Sequence, residues 1–174
     1  MYRPRATRKA LLLLLVVWAT STHAHAAEFT GRVVKVADGD SITVLIGKQQ
    51  ERVRLLSIDC PENKQPFSSK AKALTSDMCF GKHVVVTWET RDRYGRVLGE
   101  VLVDGKSVNR ALLEAGMAWH YREYSKDPKL QKLEDDARAA KLGLWADKEP
   151  IAPWEWRKTE RERRKVKAPR SLAG

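Results

Sequence analysis

Four carboxylates stand in two short stretches where the chain is expected to turn. Asp38 and Asp40 flank Gly39, while Asp59 and Glu62 follow an apolar stretch. Three or four carboxylate oxygens that converge at one rim suit a hard cation such as Ca²⁺, which prefers oxygen ligands and tolerates irregular geometry. The competing interpretation is local, because Asp-Gly is a frequent turn dipeptide and Asp59 can simply end a strand. For Asp38 taken alone we favour the turn.

Two arginines add groups that can hold a phosphate. Arg54 lies inside residues 53–56, which are otherwise apolar, and an arginine is rarely buried without a partner. A neighbouring carboxylate would explain Arg54 structurally, and a phosphate would explain it functionally. Arg96 follows the turn at residues 93–95, where a solvated hairpin charge is the alternative. Taken separately, each arginine is more often structural than catalytic.

Together, these residue types are the ones that a phosphodiester-cleaving site needs. A metal held by the aspartates would polarise a phosphoryl oxygen, and the arginines would stabilise the negative charge that builds up in the transition state. One further carboxylate, that of Glu62, could position or deprotonate a water for in-line attack. This hypothesis requires residues far apart in the sequence to converge in the fold.

Short strands followed by helices are the elements that must position these residues. Alternating β-branched residues between turn dipeptides predict strands at 28–37, 41–46, 51–58, 83–90 and 96–103. Apolar residues at helical spacing, with glycine stops, predict helices at 68–80, 107–115 and 128–142. Three strands in a meander, an inserted helix and two further strands are typical of an OB-fold. We predict an α+β domain: a five-stranded antiparallel OB-fold barrel with about three helices.

The two ends of the chain differ from this domain, which we place at residues 27–147. Residues 1–26 combine a basic start, an apolar run and an Ala-His-Ala ending, which is typical of a cleavable signal peptide. The run is shorter than the roughly 20 residues that cross a bilayer, so an uncleaved anchor is the weaker alternative. We expect an exported protein, periplasmic or secreted, without stable membrane association after cleavage. Residues 148–174 are interpreted as a Trp-containing segment and a basic flexible tail.

Charge is concentrated at the ends of the chain. The 174 residues include 33 Lys and Arg and 22 Asp and Glu, for a net charge of +11. Residues 1–26 carry four basic and no acidic side chains, and residues 157–174 carry eight basic and two acidic ones. The part between them is close to neutral, so overall charge alone does not indicate a nucleic-acid partner. The basic tail could add nonspecific phosphate affinity, and solvated charge is the alternative.

The number of cysteines excludes some kinds of site. Two cysteines, Cys60 and Cys79, exclude a disulfide scaffold and a multi-cysteine zinc or iron–sulfur site. A disulfide between them is the alternative to the buried free thiol that we favour for Cys79.

Three tryptophans near the C-terminus could pack or bind. For Trp145, Trp154 and Trp156 we favour packing of the C-terminal segment against the barrel over base stacking.

Five stretches of the sequence, in this order and at this spacing, resemble the staphylococcal nuclease (thermonuclease) family. They are VADGDS at 36–41, VRLLSIDCPE at 53–62, DRYGR at 92–96, DGKSVN at 104–109 and LGLW at 142–145. Each stretch alone would be a weak signal, but the ordered set extends over residues 28–147. The resemblance implies an OB-fold, calcium-dependent nuclease that cuts DNA and RNA with little sequence specificity and leaves 3′-phosphate ends.

The resemblance also implies roles for individual residues. Asp40 and Asp59 take the places of the calcium carboxylates, and the backbone carbonyl of Cys60 takes a further ligand place. Glu62 matches the general base of the family. A cysteine at position 60 replaces the threonine that is frequent there, and a backbone ligand should survive that replacement.

Four further residues match positions that contact phosphate. Arg54 and Arg96 match the two phosphate-binding arginines, and Arg93 and Tyr94 fall where the family contacts the terminal phosphate of a nucleotide. The leading hypothesis is therefore an exported nuclease, active as a monomer on DNA and RNA. The main alternative is a non-catalytic OB-fold module that binds nucleic acid. An unrelated exported barrel that binds protein or oligosaccharide is a third hypothesis, which the motif order disfavours.

Overall fold

The computed structural model describes residues 27–167, so the predicted signal peptide and residues 168–174 lie outside the described part of the chain. Within residues 27–167, no helix is both long and apolar enough to cross a membrane. The elements are, in chain order, β1 (Ala27–Asp38), β2 (Ser41–Ile46), β3 (Gln49–Leu55), β4 (Ile58–Asp59), α1 (Ser68–Cys79), β5 (His83–Arg91), β6 (Val97–Val103), β7 (Lys106–Ser107), α2 (Val108–Glu114), β8 (Trp119–His120), α3 (Pro128–Ala139), a 3₁₀ turn (Gly143–Ala146) and α4 (Pro153–Lys167).

Strands β1, β2, β3, β5 and β6 form a mixed barrel. Antiparallel pairs join β3 to β2, β2 to β1, β1 to β5 and β5 to β6, and a parallel pair between β3 and β6 completes the circuit. The predicted α+β OB-fold barrel is confirmed. The sequence predicted an all-antiparallel barrel and did not include this parallel pair. Tight turns specify antiparallel pairing of neighbouring strands, whereas closure of the barrel pairs strands that are distant in the sequence.

The long first strand bends to let the sheet curve. The register of β1 with β2 shifts between Val33 and Lys35, and again between Val36 and Asp38. Such bulges increase the local bend and twist of a strand. The second shift comes immediately before the turn that carries Asp40, so the end of β1 lies at the rim of the barrel.

Mostly β-branched side chains fill the barrel. Burial alternates along β6, as expected for a strand with one face on the core. The most deeply buried positions include Val33, Val44, Val53, Val86 and Val101. Helix α2 is tied to this core by buried Asn109, whose Oδ1 accepts from the Val101 amide at 3.1 Å and whose Nδ2 donates to the Leu56 carbonyl at 3.0 Å.

Aromatic side chains attach the C-terminal segment to the barrel. Trp145 in the 3₁₀ turn is buried, and its ring lies 4.5 Å from that of Trp119 in an edge-on arrangement. Trp154, at the start of α4, lies 5.5 Å edge-on from Trp119 and stacks on Tyr121 at 5.4 Å. The predicted packing role of Trp145 and Trp154 is confirmed.

Helix α4 corrects the interpretation of residues 148–174 as ending in a flexible tail, because residues 153–167 are helical. Only the first two turns contact the domain, and residues 161–166 are exposed. Arg, Lys and Glu are good helix formers, and the ion pair between Arg163 and Glu160 at 3.0 Å lies at helical i,i+3 spacing. A helix stabilised in this way has no apolar stripe, which is why periodicity did not indicate it.

Both cysteines are buried free thiols, in agreement with the interpretation favoured for Cys79. Burial raises the pKa of Cys79 to about 11, and its thiol donates to the Thr75 carbonyl at 2.9 Å. Burial also raises the pKa of Cys60, with the Asp40 carboxylate acting in the same direction. Neither thiol is therefore ionised at neutral pH.

Candidate active site

The pairing of β2 with β3 brings Asp40 and Arg54 together. Ser41 faces Arg54 in the strand register, and the Leu55 amide donates to the Asp40 carbonyl at 2.8 Å. The Arg54 guanidinium donates through Nη1 to Asp40 and through Nη2 to Asp59. One guanidinium thus joins the two aspartates that the sequence analysis interprets as metal ligands.

Asp59 reaches the same rim from a different direction. It belongs to β4, which pairs with β8 opposite Trp119, and its side chain is 0% exposed. Next in the chain, the Cys60 amide donates to Asp40 Oδ2 at 2.6 Å. Asp38 stays in the turn, where its Oδ1 accepts from the Asp40 amide at 3.2 Å, as the turn interpretation predicts.

Burial and neighbouring charge oppose each other in this cluster. The Asp40 side chain is 1% exposed, and burial raises the pKa of its carboxyl group, while Arg54 and the Cys60 amide act to lower it. Burial acts to lower the pKa of Arg54, but the carboxylates of Asp40 and Asp59 outweigh it and raise that pKa. The guanidinium is therefore held as a permanent cation beside two buried carboxyl groups.

Glu62 stands beside this cluster on a loop that a glutamine fixes. The Glu62 amide donates to Gln65 Oε1 at 2.9 Å, and Gln65 Nε2 donates to the Ile151 carbonyl at 2.6 Å. Gln65 is buried, whereas the Glu62 side chain is about one-third exposed. The carboxylate can therefore reach solvent water, as a general base must.

Arg157 on α4 is a second guanidinium in the cluster, and the sequence analysis missed it. Its Nη2 donates to Asp59 Oδ2 at 2.9 Å, and its Nη1 donates to Glu62 Oε1 at 2.6 Å and to Asp59 Oδ1 at 3.2 Å. Burial acts to lower the pKa of Arg157, but these two carboxylates raise it. No local pattern marks this arginine, because it lies in a run of charged residues 98 positions after Asp59.

Arg96 joins the site through a hydroxyl group. Its Nε donates to Asp92 Oδ2 at 2.7 Å, and its Nη1 donates to Ser41 Oγ at 3.4 Å. Ser41 Oγ in turn donates to Asp40 Oδ1 at 3.3 Å. The Asp92 carboxylate holds the turn that carries Arg96, and the backbone amides and guanidinium that donate to it outweigh burial and lower its pKa. Arg96 therefore lies at the edge of the cluster.

Arg93 and Tyr94 lie further out, on the turn between β5 and β6. The Tyr94 ring is 59% exposed, and the guanidinium carbons of Arg93 and Arg96 lie 4.9 and 5.7 Å from its centre. The Tyr94 carbonyl accepts from Arg52 Nη2 at 2.7 Å, which fixes the turn to the neighbouring strand. The turn thus presents an aromatic face and two cations beside the carboxylate cluster.

The donor chemistry of the two aspartates fits a hard cation. Asp40 and Asp59 offer only carboxylate oxygens, and both reach one group, the Arg54 guanidinium. In the described part of the chain, no group of three or more His, Cys, Asp or Glu side chains is arranged to hold a metal. A cation here would therefore depend on two carboxylates together with backbone and water oxygens, which suits Ca²⁺ better than a transition metal.

Comparison with known proteins places the chain in a family. Residues 52–147 match the family described as staphylococcal nuclease homologue. An Escherichia coli protein named "Uncharacterized endonuclease" is 44% identical over 144 residues, which cover 82% of this chain and 94% of that protein. A Shigella flexneri protein named "Micrococcal nuclease" is 39% identical over 168 residues, covering 90% of this chain and 93% of the relative. The chain therefore belongs to the staphylococcal nuclease family.

Proposed function

We propose that this protein is an exported, calcium-dependent nuclease that hydrolyses DNA and RNA with little sequence specificity and leaves 3′-phosphate ends. The observation that carries the proposal is the convergence of Asp40 and Asp59 on the Arg54 guanidinium, with Glu62 joined to Asp59 through Arg157 and Arg96 joined to Asp40 through the Ser41 hydroxyl. Relatives named endonuclease and micrococcal nuclease, each covered over more than nine-tenths of their length, support a nuclease.

Each residue of the cluster has a task in this reaction. Asp40 and Asp59 would hold Ca²⁺, which supplies a Lewis acid that polarises a phosphoryl oxygen. The guanidinium groups of Arg54 and Arg96 stabilise the negative charge that grows on the phosphate oxygens in the transition state. These groups address the phosphate, which is the same in every nucleotide, and this supports low sequence specificity.

Glu62 acts as the general base. Its carboxylate takes a proton from a water molecule, and the oxygen of that water attacks phosphorus in line with the leaving group. The bond between phosphorus and O5′ breaks, so the phosphate remains attached to O3′ of one product. The O5′ of the other product takes a proton from solvent. The partial exposure of Glu62 supports this role, because a general base must reach the water from which it takes the proton.

Digestion of plasmid DNA and total RNA tests this function. We expect the purified chain to digest both in Ca²⁺ and neither in a chelator, and the new 3′ ends to require phosphatase treatment before a polymerase can extend them. Cleavage that leaves 3′-hydroxyl ends, or that persists in the chelator, would contradict the mechanism. Salt-sensitive binding of both nucleic acids without cleavage under any metal would favour the non-catalytic binding module instead.

A further inference from the structure

An open groove runs between α4 and the rim of the barrel, beside the catalytic cluster. It has a volume of about 780 Å³, and Glu62 is one of the residues that line it. One wall is the loop at Asn63 and Lys64 together with the turn at Arg93 and Tyr94, and the other wall is α4. The groove is therefore continuous with the site that would hold the scissile phosphate.

The lining of the groove is strongly basic in a domain that is otherwise near neutral. Two carboxylates line it, and each is already paired: Glu62 with Arg157 at 2.6 Å and Glu160 with Arg163 at 3.0 Å. Four further cations line the groove and have no carboxylate partner among residues 27–167: Lys64, Arg93, Arg161 and Arg164. This excess positive charge indicates an anionic ligand.

The spacing of the cations suits a chain of phosphates. Arg157, Arg161 and Arg164 are four and three residues apart, so they lie along one face of α4. Arg157 is paired with Asp59 and Glu62 and marks the position of the cluster, and from it to Arg164 the helix axis extends roughly 10 Å, at about 1.5 Å per residue. That length corresponds to about three nucleotides of a stacked strand, at about 3.4 Å each. A free mononucleotide would contact only a part of this length.

Two aromatic side chains line the same groove. Tyr94 is 59% exposed, and Trp156 is partly buried on the opposite wall. Bases of a single strand stack on aromatic rings without sequence preference, and those of a duplex are already paired and stacked. A lining that combines aromatic rings with cations that lack a carboxylate partner is thus expected of a groove that binds one strand.

We propose that this groove binds the single nucleic-acid strand that flanks the scissile phosphate, with α4 as its outer wall. The ion pairs of Arg157 attach α4 to the catalytic cluster, and the stacking of Trp154 on Tyr121 attaches it to the rest of the domain. In this arrangement Arg161 and Arg164 contact phosphates two or three nucleotides away from the scissile one. The inference rests on the proposed nuclease function and adds a reason for the enzyme to prefer polynucleotides over substrates with one phosphodiester.

The test compares two double variants of the full chain that lose the same charge from the same helix. Arg161→Gln/Arg164→Gln removes cations that line the groove, and Lys158→Gln/Lys165→Gln removes exposed cations that do not. Binding of a fluorescent single-stranded 12-mer is measured by anisotropy in chelator, between 50 and 200 mM salt. Cleavage of the 12-mer and of a dinucleoside monophosphate is measured in Ca²⁺.

For the groove variant we expect a Kd for the 12-mer about tenfold higher, a salt slope shallower by about 1.4 for two lost phosphate contacts, and unchanged cleavage of the dinucleotide. The control variant should change the Kd less than about twofold, because its cations are outside the groove. Equal weakening in both variants, or none in the groove variant, would overturn the proposal. If the wild-type chain cleaved neither substrate, the nuclease function would fail, while the binding data would still decide on the groove.

Discussion

Arg157 and a calcium ion would compete for the carboxylate of Asp59. This competition can be tested by calcium binding alone, without an activity assay. In the structure Arg157 donates to both oxygens of Asp59, at 2.9 and 3.2 Å. A cation bound by Asp59 must displace this guanidinium or remain beside it, and either event costs free energy. We therefore expect Arg157→Ala to bind Ca²⁺ more tightly than the wild-type protein does.

The size of the effect follows from charge and exposure. Two unit charges about 4 Å apart interact with about 1 kcal/mol in water and about 4 kcal/mol at the effective dielectric constant near a protein surface. Asp59 is fully buried and the Arg157 side chain is 36% exposed, so the contribution should lie between these limits. A change of about 1 to 3 kcal/mol corresponds to a Kd roughly 5- to 150-fold lower.

Titration calorimetry of Ca²⁺ into the full chain, without nucleic acid, measures this directly. Lys158→Ala is the matched control, because it removes the same charge from the adjacent position of α4, where the side chain is exposed. Its Kd should change less than about twofold, since salt screens exposed charges over about 10 Å. An Arg157→Ala protein with unchanged or weaker calcium binding would refute the competition.

Three further predictions address the phosphate, the packing and the thiols. Arg96→Ala should lower the cleavage rate by about 10²-fold or more with the melting temperature nearly unchanged, and full activity in a folded variant would remove Arg96 from the site. Gly39→Ala should destabilise the fold by about 1 to 3 kcal/mol in urea unfolding, because its Cβ would lie 2.8 Å from Cys60 Cβ; a neutral result would show that the rim can relax. Cys60 and Cys79 should not react with an aromatic disulfide reagent in the native protein and should both react after denaturation, whereas no reactive thiols in denaturant would indicate a disulfide.

The parts of the site that the sequence could predict are those set by neighbouring strands. Asp40 and Arg54 are joined by one antiparallel register, and a turn with strongly favoured residues determines that register. Asp59 lies shortly after β3 in the sequence, but it belongs to β4, whose pairing with β8 the meander does not specify. The convergence of Asp40 and Arg54 depends on local geometry that turn and strand patterns already contain.

Contacts between distant segments could not be predicted in this way. The parallel pair of β3 with β6 depends on barrel closure, which no single turn specifies. Arg157 reaches Asp59 because aromatic packing directs the first turn of α4 to the rim, although the rest of that helix has no apolar face. A charged run without apolar periodicity is equally typical of a solvated tail, so only the folded structure shows what its first arginine contacts.

The central claim, that the cluster of Asp40, Arg54, Asp59 and Glu62 is the catalytic centre, is tested most directly by Glu62→Gln. The measurement is the single-turnover cleavage rate of a DNA oligonucleotide at saturating Ca²⁺, with oligonucleotide binding measured on the same preparation. We expect a rate at least about 10²-fold lower with binding retained, while Glu114→Gln, an exposed glutamate on α2, should cleave at the wild-type rate. Wild-type cleavage by Glu62→Gln would contradict the account.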